Sequence, residues 1–278
     1  MTKILSTVGP VSEGKNLDYL VKRSDLIRLN MSHNSIKWHK KNINQIKKIA
    51  PYKMILIDIP GIKPRTLNEN SIKIKKGELI EFGTNKLKNN LINLSSPLPK
   101  IKKNTKSFSL SDGAYEFKFI SCKKNILKGM SLQSFTLSTK KGLNIPLSIY
   151  NNLLQEKKYV SFLKKIKKFN FDCVGLSFIQ NSKIINLLRK QHPNKLFISK
   201  IENYLGYINR KEIIENSDAI MIDRGDLSAE VGVSQLSEYV ENIMIDAKKF
   251  GKPVIIATEN LNSLIVANTP SKSDVTNI

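Results

Sequence analysis

Two carboxylates, Glu202 and Asp226, stand at the ends of neighbouring apolar runs, "KLFISKI" and "DAIMID". Such a pair suits a hard divalent cation that keeps some waters and takes substrate oxygens as further ligands, typically Mg²⁺. Lys200 lies two residues before Glu202. Side chains two apart on a strand point the same way, so its ammonium belongs beside that cation. Gly225 and Asp226 open a turn into a helix, where free backbone N–H groups can hold an anion such as a carboxylate. Arg28 and Arg65 add fixed positive charge. They stand out because only six of the 46 basic residues are arginine. A planar guanidinium grips a phosphate with two parallel hydrogen bonds, which an ammonium cannot do. A metal, a lysine and arginines around one point make a site for phosphoryl transfer, where electrostatics and positioning do most of the work. Taken singly, each acidic residue also fits a helix cap or a surface ion pair; only their convergence argues for chemistry.

That convergence depends on the elements. Short β-type runs alternate with helical ones: strands over 3–8, 25–30 and 53–59, then 172–178, 195–201, 218–223 and 252–257. Ser35 fits an N-cap for a helix with Ile36, Ile43, Ile46 and Ala50 on one face. Ser234 and Gly251 bracket another. Between residues 67 and 146 helical periodicity fades into turns and short strand candidates, with fifteen lysines against five acidic residues. The expectation is an α/β fold of residues 1–66 and 147–278, with a small basic β-rich lid domain, 67–146, inserted after the third strand. Near-continuous apolar strands mean a parallel sheet covered on both faces. Polar residues close six successive strands: Arg28 and Asn30, Asp58, Ser177, Lys200 and Glu202, Arg224 and Asp226, Thr258. A TIM-type (β/α)₈ barrel gathers all strand C-termini at one mouth, whereas a doubly wound sheet uses one crevice. The barrel fits better, though with seven strands it is incomplete.

Composition sets limits. A hydrophobic share of 40% with 25% charged residues reads as a globular, soluble chain of 278 residues. No apolar run reaches the length of a membrane span, and the N-terminus has no signal-peptide architecture. Cys122 and Cys173 sit in apolar surroundings and read as buried free thiols of a cytoplasmic protein. Three scattered histidines make a zinc site unexpected. The net charge of +23 comes from lysines spread through every segment rather than one stripe, so specific nucleic-acid binding is not expected.

The motifs resemble those of pyruvate kinases almost end to end. "KILSTVGPVSE", "IRLNMSHN" and "ILIDIPGIKPRT" are similar to the family's first three strand ends. "LSDGAYEFKFIS" and "KKGLNIP" look like the end of its lid. "FISKIENYLG", "SDAIMIDRGDLSAEVG" and "KPVIIATENLNSL" resemble its strongest catalytic signatures. The resemblance implies phosphoryl transfer from phosphoenolpyruvate to ADP, giving pyruvate and ATP, in glycolysis. It implies Mg²⁺ or Mn²⁺ on Glu202 and Asp226, and Lys200 stabilising the phosphoryl group in flight. Thr258 would stand near the enolate carbon, and Arg28, Arg65 and Lys141 would engage phosphates. Asn30, Ser32 and Asp58, with the Ile59 carbonyl, match a monovalent-cation site. Lys63 stands where many members carry glutamate, which implies that its ammonium replaces K⁺. A homo-oligomer is compatible with the family.

The chain also departs from the pattern. Asp223 replaces a small residue before Arg224 and adds negative charge near the metal. Pro60, Gln180, Glu259 and Asn260 differ as well. The eighth barrel strand and the family's regulatory C-terminal domain are not in the sequence, which leaves two unpaired sheet edges. Two other readings stay open: a divergent metal-dependent phosphoenolpyruvate or pyruvate enzyme (a lyase or another phosphotransferase), and a non-catalytic fragment.

Overall fold

The structure is a computed structural model and describes residues 2–84, 91–258 and 260–276. Glu259 lies outside the described residues. Three strands open the chain: β1 (Leu5–Thr7), β2 (Leu26–Asn30) and β3 (Met54–Ile59). Short inserted strands follow: β4 (Ile72–Ile74), β5 (Leu79–Gly83), β6 (Leu91–Asn93), β7 (Ser107–Leu110), β8 (Tyr115–Lys123), β9 (Ile126–Ser131), β10 (Phe135–Leu137) and β11 (Leu143–Asn144). Four more come after: β12 (Cys173–Leu176), β13 (Leu196–Ile201), β14 (Ala219–Asp223) and β15 (Val254–Ala257). The expected strand positions are all occupied, most of them shortened by one or two residues at an end.

β1, β2, β3, β12, β13, β14 and β15 form one parallel sheet in that order. Helices run between them: α1 (Lys15–Arg23), α2 (Ile36–Ile49), α3 (Asn152–Lys165), α4 (Ser182–Gln191), α5 (Tyr204–Ile208), α6 (Arg210–Asn216), α7 (Arg224–Val231) and α8 (Val233–Lys249); α9 (Asn262–Ala267) and α10 (Lys272–Thr276) follow β15. Leu5, Leu26, Leu56, Cys173, Ile198, Met221 and Ile255, one residue from each strand, share a single apolar cluster. A flat sheet cannot bring its first and last strands into one cluster. This one therefore curls into an incomplete barrel, with that cluster filling its floor.

The alternate residues face outward. Ile27, Leu29, Ile55, Ile57, Val174 and Leu176 pack under Leu17, Val21, Ile43, Ile46, Leu163, Ile185 and Leu188 of the helices. Both faces are covered, which is why these strands are apolar throughout. On the other side Ile201, Ile220 and Ile222 lie under Ile214, Leu227, Ile243 and Ala247. Among the described residues β1 and β15 pair with no further strand. Along β15 and α8 runs an apolar groove of about 790 Å³, lined by Val240, Met244, Ile245, Pro253 and Val254 among others.

The helix signals hold at one end of α2 and fail at one end of α8. Ser35 Oγ accepts the Trp38 N–H, as expected. α8 starts at Val233, one residue before Ser234, and its cap is Gly232 at φ 87° with no side-chain bond. The tight turn from α7 into α8 requires that positive φ, so glycine takes the position serine was expected to fill. Cys173 is buried, but Cys122 is exposed. Along β8, Tyr115, Phe117, Phe119 and Ser121 take the inward positions, so Cys122 falls on the outward face with Glu116, Lys118 and Ile120. Among the described residues no helix is long and apolar enough to cross a membrane.

The inserted strands form a six-stranded sheet, β11-β7-β8-β9-β5-β6, and a separate β10-β4 pair. Phe108 and Phe117 stack at 5.0 Å between ring centres, and Phe82 meets both edge-on. The outgoing and returning chains bond to each other where they meet the barrel. Thr66 N–H donates to the Lys141 carbonyl at 2.9 Å and Leu143 N–H to the Pro64 carbonyl at 2.8 Å.

Candidate active site

Asp58, next to last in β3, lies opposite Asn30 of β2 and Gly175 of β12. A side chain at Gly175 would press on Asp58, its Cβ falling 3.3 Å from Oδ1. Asp58 is 1% exposed. Arg28 Nε and Nη2 donate to its Oδ2 at 2.9 and 2.6 Å, and Ser177 Oγ donates to Oδ1 at 2.9 Å. The Lys200 ammonium stands 3.1 Å from Oδ2. Burial pushes Asp58 upward, but Lys200 and Arg28 outweigh it and hold the carboxyl below its usual range.

Lys200 Nζ also lies 2.6 Å from Glu202 Oε1 and 3.6 Å from Asp223 Oδ2. Burial disfavours its charge, yet three carboxylates around it raise its pKa and keep it an ammonium. Glu202 is 0% exposed. Its Oε2 accepts the Phe178 N–H at 2.7 Å. Its Oε1 has the Lys200 charge nearby but no hydrogen bond of acceptable angle. Burial, with Asp226, Asp223 and Asp58 close by, pushes Glu202 up despite Lys200. One carboxylate oxygen each from Glu202, Asp223 and Asp226 lies within 4.8 Å of the other two, a grouping able to hold a metal ion.

Two residues with positive φ hold this arrangement. Phe178, at φ 61°, follows β12 and turns its N–H onto Glu202. Its carbonyl is fixed by Gln155 Nε2 of α3 at 2.7 Å. Thr258, at φ 64°, follows β15. Its Oγ1 donates to Asp223 Oδ1 at 3.0 Å and accepts the Gly225 N–H at 3.1 Å. Arg224 Nη2 donates to the Thr258 carbonyl at 2.6 Å and to Asn260 Oδ1 at 2.8 Å. Bulky or β-branched residues in this region are strained by about 1–3 kcal/mol each and persist only where the surroundings hold them.

The expected site residues fall into groups. Arg28, Asp58 and Lys200 are in direct contact, and Glu202, Asp226 and Thr258 close around them through Asp223. Gly225 is at the start of α7, but its N–H is given to Thr258. Asn30 Oδ1 accepts the Ser32 N–H at 3.0 Å, and the Ile59 carbonyl accepts the Ser177 N–H at 3.4 Å, so this group lines the β2–β3 side. Arg65 and Lys141 are half-buried where the inserted sheet joins the barrel; Arg65 Nη1 donates to the Lys140 carbonyl at 3.2 Å.

Lys63 goes elsewhere. Its side chain is 3% exposed and its ammonium is clamped between Asp226 Oδ1 and Asp112 Oδ1 of the β7–β8 turn. No hydrogen bond or ion pair joins it to Asn30, Ser32 or Asp58 among the described residues. Gly142 makes room for it: a Cβ there would stand 2.6 Å from Lys63 Cε. Gln180 has a structural task. It accepts the Tyr150 N–H and donates to the Tyr150 carbonyl, both at 3.0 Å.

Three contributors have no local sequence signal: Asp112, the Phe178 N–H and Glu230. Glu230 lies one turn after Asp226 on α7, buried, its oxygens without a well-formed hydrogen bond among the described residues. Burial, with Asp226 nearby, pushes its carboxyl up to about 8 against the pull of Lys63.

Comparison with known proteins identifies the family. The family model described as "Pyruvate kinase, barrel domain" matches residues 1–278. The chain belongs to the pyruvate kinase family. It is 30% identical over 298 residues to the pyruvate kinase of Thermotoga maritima, covering all of this chain and 63% of that protein. With the pyruvate kinase of Thermococcus litoralis it shares 27% over 292 residues, again all of this chain and 62% of the relative. The Staphylococcus aureus (strain MRSA252) pyruvate kinase is 31% identical over 281 residues, 95% of this chain and 48% of its own length. The chain thus spans less than two thirds of these pyruvate kinases.

Proposed function

We propose that the protein transfers the phosphoryl group of phosphoenolpyruvate to ADP, giving pyruvate and ATP, as a cytoplasmic enzyme of glycolysis. The observation that carries this is the buried cluster at the mouth. Lys200 is bracketed by Asp58, Glu202 and Asp223, with Asp226 completing the carboxylate group.

The donor set fits Mg²⁺ or Mn²⁺. It is all oxygen, it is carboxylate, and a buried Glu202 oxygen lacks a hydrogen bond. Glu202 and Asp226 would hold the cation, whose chemistry when bound is to draw charge from phosphate and carboxylate oxygens. The other steps belong to side chains. Arg28 and Lys200, both kept charged by Asp58, neutralise the phosphoryl group as its bond to the enol oxygen breaks and a bond to a terminal ADP oxygen forms. Arg65 and Lys141 engage nucleotide phosphates from the rim. The Thr258 hydroxyl is placed near the enolate carbon, where a solvent proton must arrive to give pyruvate.

Residues 67–146 act as a lid over the barrel of 1–66 and 147–278, excluding water that would hydrolyse the phosphate. The buried Lys63 ammonium, kept charged by Asp226 and Asp112, would supply from the Asp226 side of the mouth the positive charge that other members take from K⁺, so activity should not depend on potassium. Thermal melting tests ligand binding, because a ligand of the folded state raises the melting temperature. The expected result is a rise with Mg²⁺ plus phosphoenolpyruvate and a further rise with ADP, equal in K⁺ and in K⁺-free buffer. A rise with phosphoenolpyruvate alone would instead favour a divergent enzyme on the same acid. No rise would contradict both.

A further inference from the structure

We infer that Asp223 is a third carboxylate ligand of the divalent cation held by Glu202 and Asp226, so that the site loads metal before any substrate oxygen is present. The inference rests on the divalent site proposed above. Asp223 is the last residue of β14, and its side chain points inward, as that of Met221 does two residues earlier. One of its oxygens is within 4.8 Å of an oxygen of Glu202 and one of Asp226.

The hydrogen bonds divide its two oxygens. Oδ1 accepts from Thr258 Oγ1 at 3.0 Å. Oδ2 is left 3.6 Å from Lys200 Nζ, beyond hydrogen-bond range. Independently, Glu202 Oε1 is fully buried and accepts no hydrogen bond of acceptable angle. The Lys200 ammonium meets it at 2.6 Å, but that one charge is shared with Asp58 and Asp223. Glu202, Asp223 and Asp226 each bring one carboxylate oxygen to the same small volume, three negative charges around a single ammonium.

Charge count sets affinity in oxygen-ligand sites. Two carboxylates leave a divalent ion dependent on substrate oxygens for the rest of its shell. Two already match its charge, and a third leaves one formal negative charge to spare, which the Lys200 ammonium balances. Ligation through Oδ2 leaves the Thr258 bond to Oδ1 in place, so the same side chain ties the cation to the position of Thr258.

The test is Mn²⁺ binding by the full chain without phosphoenolpyruvate or nucleotide, read as free Mn²⁺ by electron paramagnetic resonance. Wild type is compared with Asp223→Asn, which keeps the shape and the acceptor for Thr258 but removes the charge, and with Asp226→Asn. The melting temperature of each apo protein checks folding, and its rise with Mn²⁺ gives a second reading of affinity. The expected result is at least about tenfold weaker binding for Asp223→Asn and a loss at least as large for Asp226→Asn. Weakening in Asp226→Asn with Asp223→Asn within about twofold of wild type would overturn the inference and leave the divalent site standing. Equal binding by all three folded proteins would overturn the site and the inference together.

Discussion

The two sides of the barrel mouth treat buried charge in opposite ways. On the β2–β3–β12 side the Asp58 carboxylate is saturated: Arg28, Ser177 and Lys200 all close on it. On the β13–β14–α7 side Glu202, Asp223, Asp226 and Glu230 crowd together, and two of the four are pushed upward in pKa by burial and by one another. Their cations, Lys200 and Lys63, are shared with other carboxylates. The saturated side has the form of a scaffold that fixes cationic groups. The crowded side has the form of a receptor that a cation completes. The lesson is that stability and function should separate by side.

The largest effect should come from Glu202→Gln. Pyruvate formation should fall by about 10²–10³-fold or more, the scale of removing one electrostatic contact at a transition state. Stability should hold or rise, because the crowding is relieved and Lys200 keeps Asp58. A drop in melting temperature as large as that of a core mutation would break the comparison. Asp58→Ala should differ by striking stability first, with activity falling too because Arg28 and Lys200 lose their anchor. It leaves Arg28 and Lys200 buried without their shared partner and should cost about 3–5 kcal/mol by urea unfolding, as when one member of a buried pair is removed.

Glu230 sharpens the contrast through pH. Its folded carboxyl is held up to about 8, above its unfolded value, so the folded state keeps the proton longer. The stability linked to that proton is fully present below the unfolded carboxylate range and is lost as pH rises through about 8. Glu230→Gln should therefore melt close to wild type at pH 5 and a few degrees above it at pH 8. The smallest effect belongs to Asp112→Ala. Asp112 is 57% exposed, so its bond to Lys63 is screened and worth about 1 kcal/mol at most.

The sequence carries much of this site because the strand ends do. Lys200, Glu202 and Asp226 could be placed from apolar runs of strand length and a two-residue spacing. Asp58 and Arg28 followed from the same rule, and the curled sheet brings them together. Lys63 shows the limit. Its identity as a departure was readable, but its destination was not, because Asp112 and Asp226 reach it from 49 and 163 residues away. Thr258 was legible as a strand-end residue, but the backbone turns at Phe178 and Thr258 were beyond reach for another reason. Their positive φ contradicts local preference and is imposed by Gln155, Arg224 and Asp223. The same holds for Gly232, where a turn between helices overrides a good capping residue next to it.

The account is tested most directly by following pyruvate from phosphoenolpyruvate and ADP with Mg²⁺, comparing the chain with its Glu202→Ala variant. It predicts steady pyruvate formation by the wild type, dependent on added Mg²⁺, and formation at the uncatalysed background by a folded Glu202→Ala protein. Equal rates in the two, or none in a folded wild type, would contradict phosphoryl transfer at this mouth.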